Sequence, residues 1–208
     1  MPPKKKITSE LLIKAAMEIV KEQGINAVTA RTAAKAAGCS IQPVFADFGT
    51  MENFREQVYL YARDEFLKQI SVFSGSADYY GKVCGAVLKL AAEEPNVCRL
   101  LFSEPVCGGR TVSVLKDSFM QNRKYLDGMI TMYGLGEKSC LEIIGKGLVY
   151  VCGMAVILSS DSSYTTVQKG TAEVKMLTAD LVIAAQRKRD NEKKRIVRKI
   201  TDESGMSD

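Results

Sequence analysis

Apolar residues recur at three- and four-residue spacing along almost the whole chain, and Gly, Pro, Ser and Thr punctuate the runs. Near the amino end, Thr8 or Ser9 can cap a helix that carries Leu12, Ala15, Ala16, Ile19 and Val20 on one side, and Gly24 stops it. Thr29 can cap an alanine-rich helix, Ala30–Ala37, which Gly38 ends. Ser40 can cap a third segment over about 41–48, with Pro43 at its third position, where no intrahelical N–H bond is lost. Two short helices joined by Gly38-Cys39-Ser40 form a helix-turn-helix.

The period stays helical beyond this point. Met51–Ser71 reads as one long helix with Phe54, Val58, Tyr61, Ala62, Phe66 and Ile70 on its apolar side. Further helices are predicted over 79–94, from Pro95 through Leu100, Leu101 and Phe102, over 114–133, over Glu137–Ser160 and over 164–188, with a loop at 105–110. No alternating strand pattern competes, so the expected fold is all-α with about nine helices. Three regions follow: residues 1–50, an arm and a helix-turn-helix unit; 51–188, a larger helical domain; and 189–208, a basic, mobile tail.

Composition narrows the function. Histidine is absent among the 208 residues, which excludes Ser-His-Asp and Cys-His catalysis and any zinc site needing imidazole. No metal motif or glycine-rich phosphate loop is present, so neither an enzyme nor a cofactor is expected. The longest charge-free stretch tested, 147–160, is fourteen residues, short of the ~18–20 that span a bilayer. With no export signal visible, the expected location is the cytoplasm and no membrane partner is expected. Six cysteines, none in a C-x-x-C spacing, read as reduced, mostly buried hydrophobes, with a thiol sensor as the alternative.

Charge is concentrated at the ends. The net charge is +5, yet Lys4, Lys5 and Lys6 contribute +3 and 187–199 contributes +6, leaving −4 for the rest. Residues 7–50 carry four basic and four acidic side chains, so without the three lysines the helix-turn-helix unit is neutral and phosphate neutralisation falls to the amino-terminal arm.

The run from Ile13 to Gly24, then Ala27-Val-Thr-Ala-Arg-Thr-Ala-Ala-Lys-Ala-Ala-Gly-Cys-Ser40 and Val44-Phe-Ala-Asp-Phe48, resembles the DNA-binding domain of the tetracycline-repressor (TetR) family over roughly residues 8–60. The resemblance implies a homodimeric regulator, more often a repressor, that binds a pseudo-palindromic operator and is released by a small-molecule inducer of unknown identity. Three positions depart from the family's usual pattern: Phe45 replaces an aromatic hydroxyl, Asp47 a neutral or basic residue, and Met51 a lysine. The competing interpretation is therefore a helical homodimeric interaction protein that no longer reads DNA.

On that pattern Ser40, Ile41, Gln42, Pro43 and Val44 face the major groove, Phe45 and Asp47 border it, and Thr29, Arg31 and Lys4–Lys6 meet phosphate. Gln42 can pair with adenine, and Ile41, Pro43 and Val44 offer only apolar contact, as to a thymine methyl. In the larger domain, Tyr59, Phe66, Phe102, Phe119, Met120, Met129, Tyr150 and Met154 are the apolar candidates for a ligand pocket, with Arg123 as an anion partner. Glycines 145, 147 and 153 on the penultimate helix point to close helix approach, to a partner inside the chain or in a second subunit. Leu148, Val156, Ile157, Val174, Leu177 and Leu181 are the candidate dimer contacts.

Overall fold

The first helix starts where its cap dictates: the Thr8 hydroxyl accepts the Leu11 N–H, and α1 (Ser9–Gln23) runs until Gly24, at φ 82°, turns the chain. The computed structural model describes residues 7–204; Lys4, Lys5 and Lys6 lie outside them. After a 3-10 turn at Ile25–Ala27 come α2 (Ala30–Ala37), α3 (Gln42–Phe48), α4 (Met51–Ser71), α5 (Tyr79–Glu93) and α6 (Pro95–Phe102). A second 3-10 turn, Pro105–Cys107, leads to α7 (Arg110–Gln121), α8 (Arg123–Tyr133), α9 (Glu137–Ser160) and α10 (Val167–Ser204). Among the described residues the fold is all-α, with ten α-helices.

Helices α1 to α3 form a three-helix unit on top of α4. Leu12, Ala16, Ile19 and Val20 of α1, Ala33 and Ala34 of α2, and Val44 and Phe48 of α3 are buried together. The Phe48 and Phe54 rings lie 4.6 Å apart and seat the unit on α4. Arg55 of α4 donates from two nitrogens, at 3.1 and 3.0 Å, to the carbonyl of Val28, clamping the entrance to α2. Asn53 of α4 caps the carbonyl of Phe48 at 2.8 Å, which fixes where α3 ends.

The larger domain is built around α9, which packs on α5, α6, α7, α8 and α10. Its length and hydropathy would suffice to cross a membrane, but half of its most apolar stretch is buried inside the protein, the position of a core helix. At one end of α9, Arg99 of α6 donates to Ser159 O at 2.7 Å and to Asn96, and Asn96 donates to Lys21 O at the end of α1. At the other end, Gln186 and Arg189 of α10 donate to the carbonyls of Tyr133 and Gly134. The two ends lie about 33 Å apart along α9 at ~1.5 Å per residue.

Three boundaries differ from those expected. Ser40 makes no cap; Ile41 is the N-cap of α3 with no side-chain bond, and Pro43 falls in the second helical position, equally free of an intrahelical N–H requirement. The expected helix over 114–133 is two: it starts at Arg110 and breaks at Asn122, whose side chain accepts the Tyr125 N–H and donates to Ser74 O, a tertiary bond that periodicity does not encode. The last helix, expected to end at 188, continues to Ser204. Beyond Arg189, every residue from 190 to 201 is exposed, and the lysines and arginines there are good helix formers that need no core.

Cys84, Cys98, Cys140 and Cys152 are buried and Cys39 is half-buried. Burial pushes the Cys84 and Cys98 thiols up to about 12 and raises those of Cys140 and Cys152, which suppresses the reactive thiolate. In the unfolded chain these thiols ionise near ~8.5. Their neutral form therefore contributes stability that is complete below that pH and is lost as pH rises towards 12. The urea midpoint is expected to fall between pH 8 and pH 10.5, less steeply in a Cys84→Ala, Cys98→Ala variant; equal slopes would show that these thiols carry no alkaline sensitivity.

Candidate nucleic-acid interface

The turn between α2 and α3 presents a continuous outward face. Thr29 caps α2 reciprocally with Thr32, each side-chain oxygen accepting the other's backbone N–H. Arg31, in the first turn, is exposed, as is Lys35 one turn on. On α3, Ile41, Gln42, Phe45, Ala46 and Asp47 are exposed and Pro43 is half-buried. Val44 is 1% exposed, so it belongs to the core under α3 and cannot face a groove; Phe45, one residue on, points the other way. The Asp47 carboxylate accepts the Ser9 hydroxyl at 2.8 Å. That places a negative charge at the amino end of α1, where the helix dipole favours it by ~0.3–1 kcal/mol. Asp47, though exposed, is thus engaged as a helix-end contact. The sequence pattern missed Arg55, which acts through a polar tertiary bond that leaves no periodic trace, and the local bond from Asn53 to Phe48 O.

No family model matches this sequence, and no curated protein matches it. Solved structures do match. The chain superposes on a transcriptional regulator from Rhodococcus sp. Rha1 with TM-score 0.64 and 16% identity, covering 86% of this chain and 98% of that one. A tetR-family transcriptional regulator from Streptomyces coelicolor gives TM-score 0.63 at 18% identity, covering 93% and 87%. A TetR variant from Acinetobacter baumannii AYE in complex with minocycline gives 0.57 at 13%, covering 88% and 99%.

The fold is that of the TetR-family regulators.

Within this TetR fold, the nominated pocket residues scatter. Tyr59, Phe66, Phe119 and Met154 are packed in the core. The Tyr59 hydroxyl lies 3.1 Å from that of buried Thr111, Phe66 meets half-buried Phe102 edge-on, and Phe119 stacks among Tyr79, Tyr80 and Tyr125. Met120 and Tyr150 are exposed, and exposed Arg123 is engaged by Asp127 and Glu137. Of the whole set only Met129 lines the two neighbouring clefts at this side of the domain. One, of about 350 Å³, lies between 74–77 and α8. The other, of about 510 Å³, lies between α5, α8 and α10. They share Ala77, Tyr125, Met129 and Tyr133, and the Lys175–Asp78 ion pair at 2.7 Å sits beside the second. Aromatic residues at helical spacing fill cores as readily as they line pockets, which is why the pattern selected the packed ones.

The dimer candidates divide the same way. Leu148 and Val174 are fully buried within one chain and cannot reach a partner. Val156, Leu177 and Leu181 are half-buried, and Ile157 is exposed. The outward side of α9 carries Val149, Tyr150, Gly153 and Ile157, and that of α10 carries Met176 and Ile183. Gly147 explains itself inside the chain, tight against the Tyr80 hydroxyl and Thr178, whereas a side chain at Gly153 would meet open space.

Proposed function

We propose that the protein is a DNA-binding transcriptional regulator that works as a homodimer, acting as a repressor released by a small molecule. The observation that carries this is the α2–α3 face: a short helix seated from beneath by Val44 and Phe48, its predecessor α2 held at its entrance by Arg55, with Gln42 outward and Arg31 and Lys35 beside it. That is the arrangement by which a recognition helix enters a major groove while its predecessor meets the backbone. The outward apolar residues of α9 and α10 supply the dimer surface, and the paired clefts at Tyr125 and Met129 supply a ligand site of suitable size. The Asn96–Arg99 chain from α1 to α9 gives a physical link between the two domains. The basic end of α10 leaves the end of the body remote from α1, so it has no part in operator binding.

Two substitutions test the assignment. Gln42→Ala is expected to relax discrimination at one or two base pairs, a paired contact being worth roughly 1–3 kcal/mol, while Arg31→Ala weakens all sequences alike. Titrations on a selected operator and on random duplex read both. Equal losses on the two DNAs for Gln42→Ala reject its role as a base reader.

A further inference from the structure

Ile41 and Phe45 lie one helical turn apart on the outward face of α3, and they are 51% and 46% exposed. They are not leftovers of the core, which Val44 and Phe48 already complete from the opposite side of the same helix. Gln42 and Ala46 share the outward surface, and the helix's one carboxylate, Asp47, is held by Ser9. On the flank, Arg31 and Lys35 have no ion-pair partner among the described residues. The surface is thus apolar at its centre, cationic at its edge, and carries one side chain able to pair with a base.

We propose that this face reads pyrimidine methyl groups: Ile41 and Phe45 seat on thymine 5-methyls in the major groove, and Gln42 pairs with a neighbouring adenine. The proposal rests on the DNA-binding reading above and names what that site recognises. The methyl of thymine is the one apolar group that a base pair offers in the major groove. Pressed against a G·C pair, the same side chains would desolvate donors and acceptors and give nothing back. The spacing fits as well. Four residues of helix advance about 6 Å, close to two base-pair steps of ~3.4 Å, so the two side chains reach methyls about two steps apart. Residues 7–50 sum to zero charge, so within this unit the apolar contacts add to only a few phosphate contacts.

The test uses the full-length protein. Binding sites are selected from random duplex DNA, and affinity is then measured for the selected site with thymine and with uracil, which differ only by the methyl. The expected site carries thymines about two steps apart in each half. Uracil is expected to weaken binding about fourfold per methyl, the fold-change equivalent to ~0.8 kcal/mol. Ile41→Ala and Phe45→Ala should bind the two DNAs alike while melting at the wild-type temperature, since both side chains are half exposed. A selected site that binds equally with thymine and uracil overturns methyl reading and leaves the DNA-binding regulator standing. Failure to select any sequence overturns both. If the alanine variants instead lower the mass measured by light scattering, the face belongs to a second copy of the chain, and methyl reading is overturned.

Discussion

Val149→Glu combined with Ile157→Glu is expected to give a folded monomer that binds a two-half-site operator about 10²–10⁴ times more weakly than the unaltered protein. Both side chains stand on the outward side of α9, 63% and 46% exposed, on the same side as Tyr150 and Gly153. Large apolar side chains exposed on one side of a helix mark an interaction surface more often than a free one. Because neither residue is part of the core, the carboxylates cost the isolated chain little, and circular dichroism and the melt of the monomer should stay close to normal. In a two-fold dimer each new charge would be buried opposite its own copy without a counter-ion, at a cost of several kcal/mol. Light scattering and operator titration read the two consequences together. A dimer that persists at micromolar concentration with both glutamates in place would place the self-association surface elsewhere.

Gly147→Ala is expected to destabilise the fold by roughly 1–3 kcal/mol, although alanine is intrinsically the better helix residue by about 1 kcal/mol. A Cβ at 147 would overlap the Tyr80 hydroxyl and lie 3.0 Å from its ring carbon. Tyr80 cannot swing away freely: it is buried on α5, its ring meets Phe119, and its oxygen accepts from Thr178 at 3.3 Å. In a Tyr80→Phe background the overlap with oxygen disappears, and the same substitution should cost markedly less. Urea unfolding of the four proteins measures the coupling; additive effects would show that Tyr80 is not the obstacle. Gly153→Ala, six residues along the same helix with nothing near its Cβ, is the control, and in the monomeric double-glutamate background it should stabilise the chain slightly.

The contrast between these two glycines shows where sequence stops. By itself the sequence determined the features that depend on neighbours a turn away: a cap at Thr8 or Ser9 and one at Thr29, the stops at Gly24 and Gly38, the bounds of Met51–Ser71 and Glu137–Ser160, and the helix-turn-helix over 30–48. These are local events, because a capping oxygen and the N–H it satisfies lie within three residues. The sequence's repeated glycines on α9 pointed to close helix approach, which the structure shows within the chain at Gly147 and not at Gly153.

Only the tertiary structure decided which side of each apolar helix is covered. Val44 and Phe45 are equally hydrophobic neighbours, and so are Leu148 and Val149, yet one of each pair is buried and the other exposed. Hydrophobic periodicity defines the faces of a helix, but burial depends on which other helices arrive, and those contacts join residues far apart in the chain. The same holds for the polar ties: Ser9 to Asp47, Arg55 to Val28, Asn96 to Lys21 and Asn122 to Ser74. Each satisfies a group at a helix end or turn through a side chain from elsewhere in the chain. Their geometry exists only after the helices have packed.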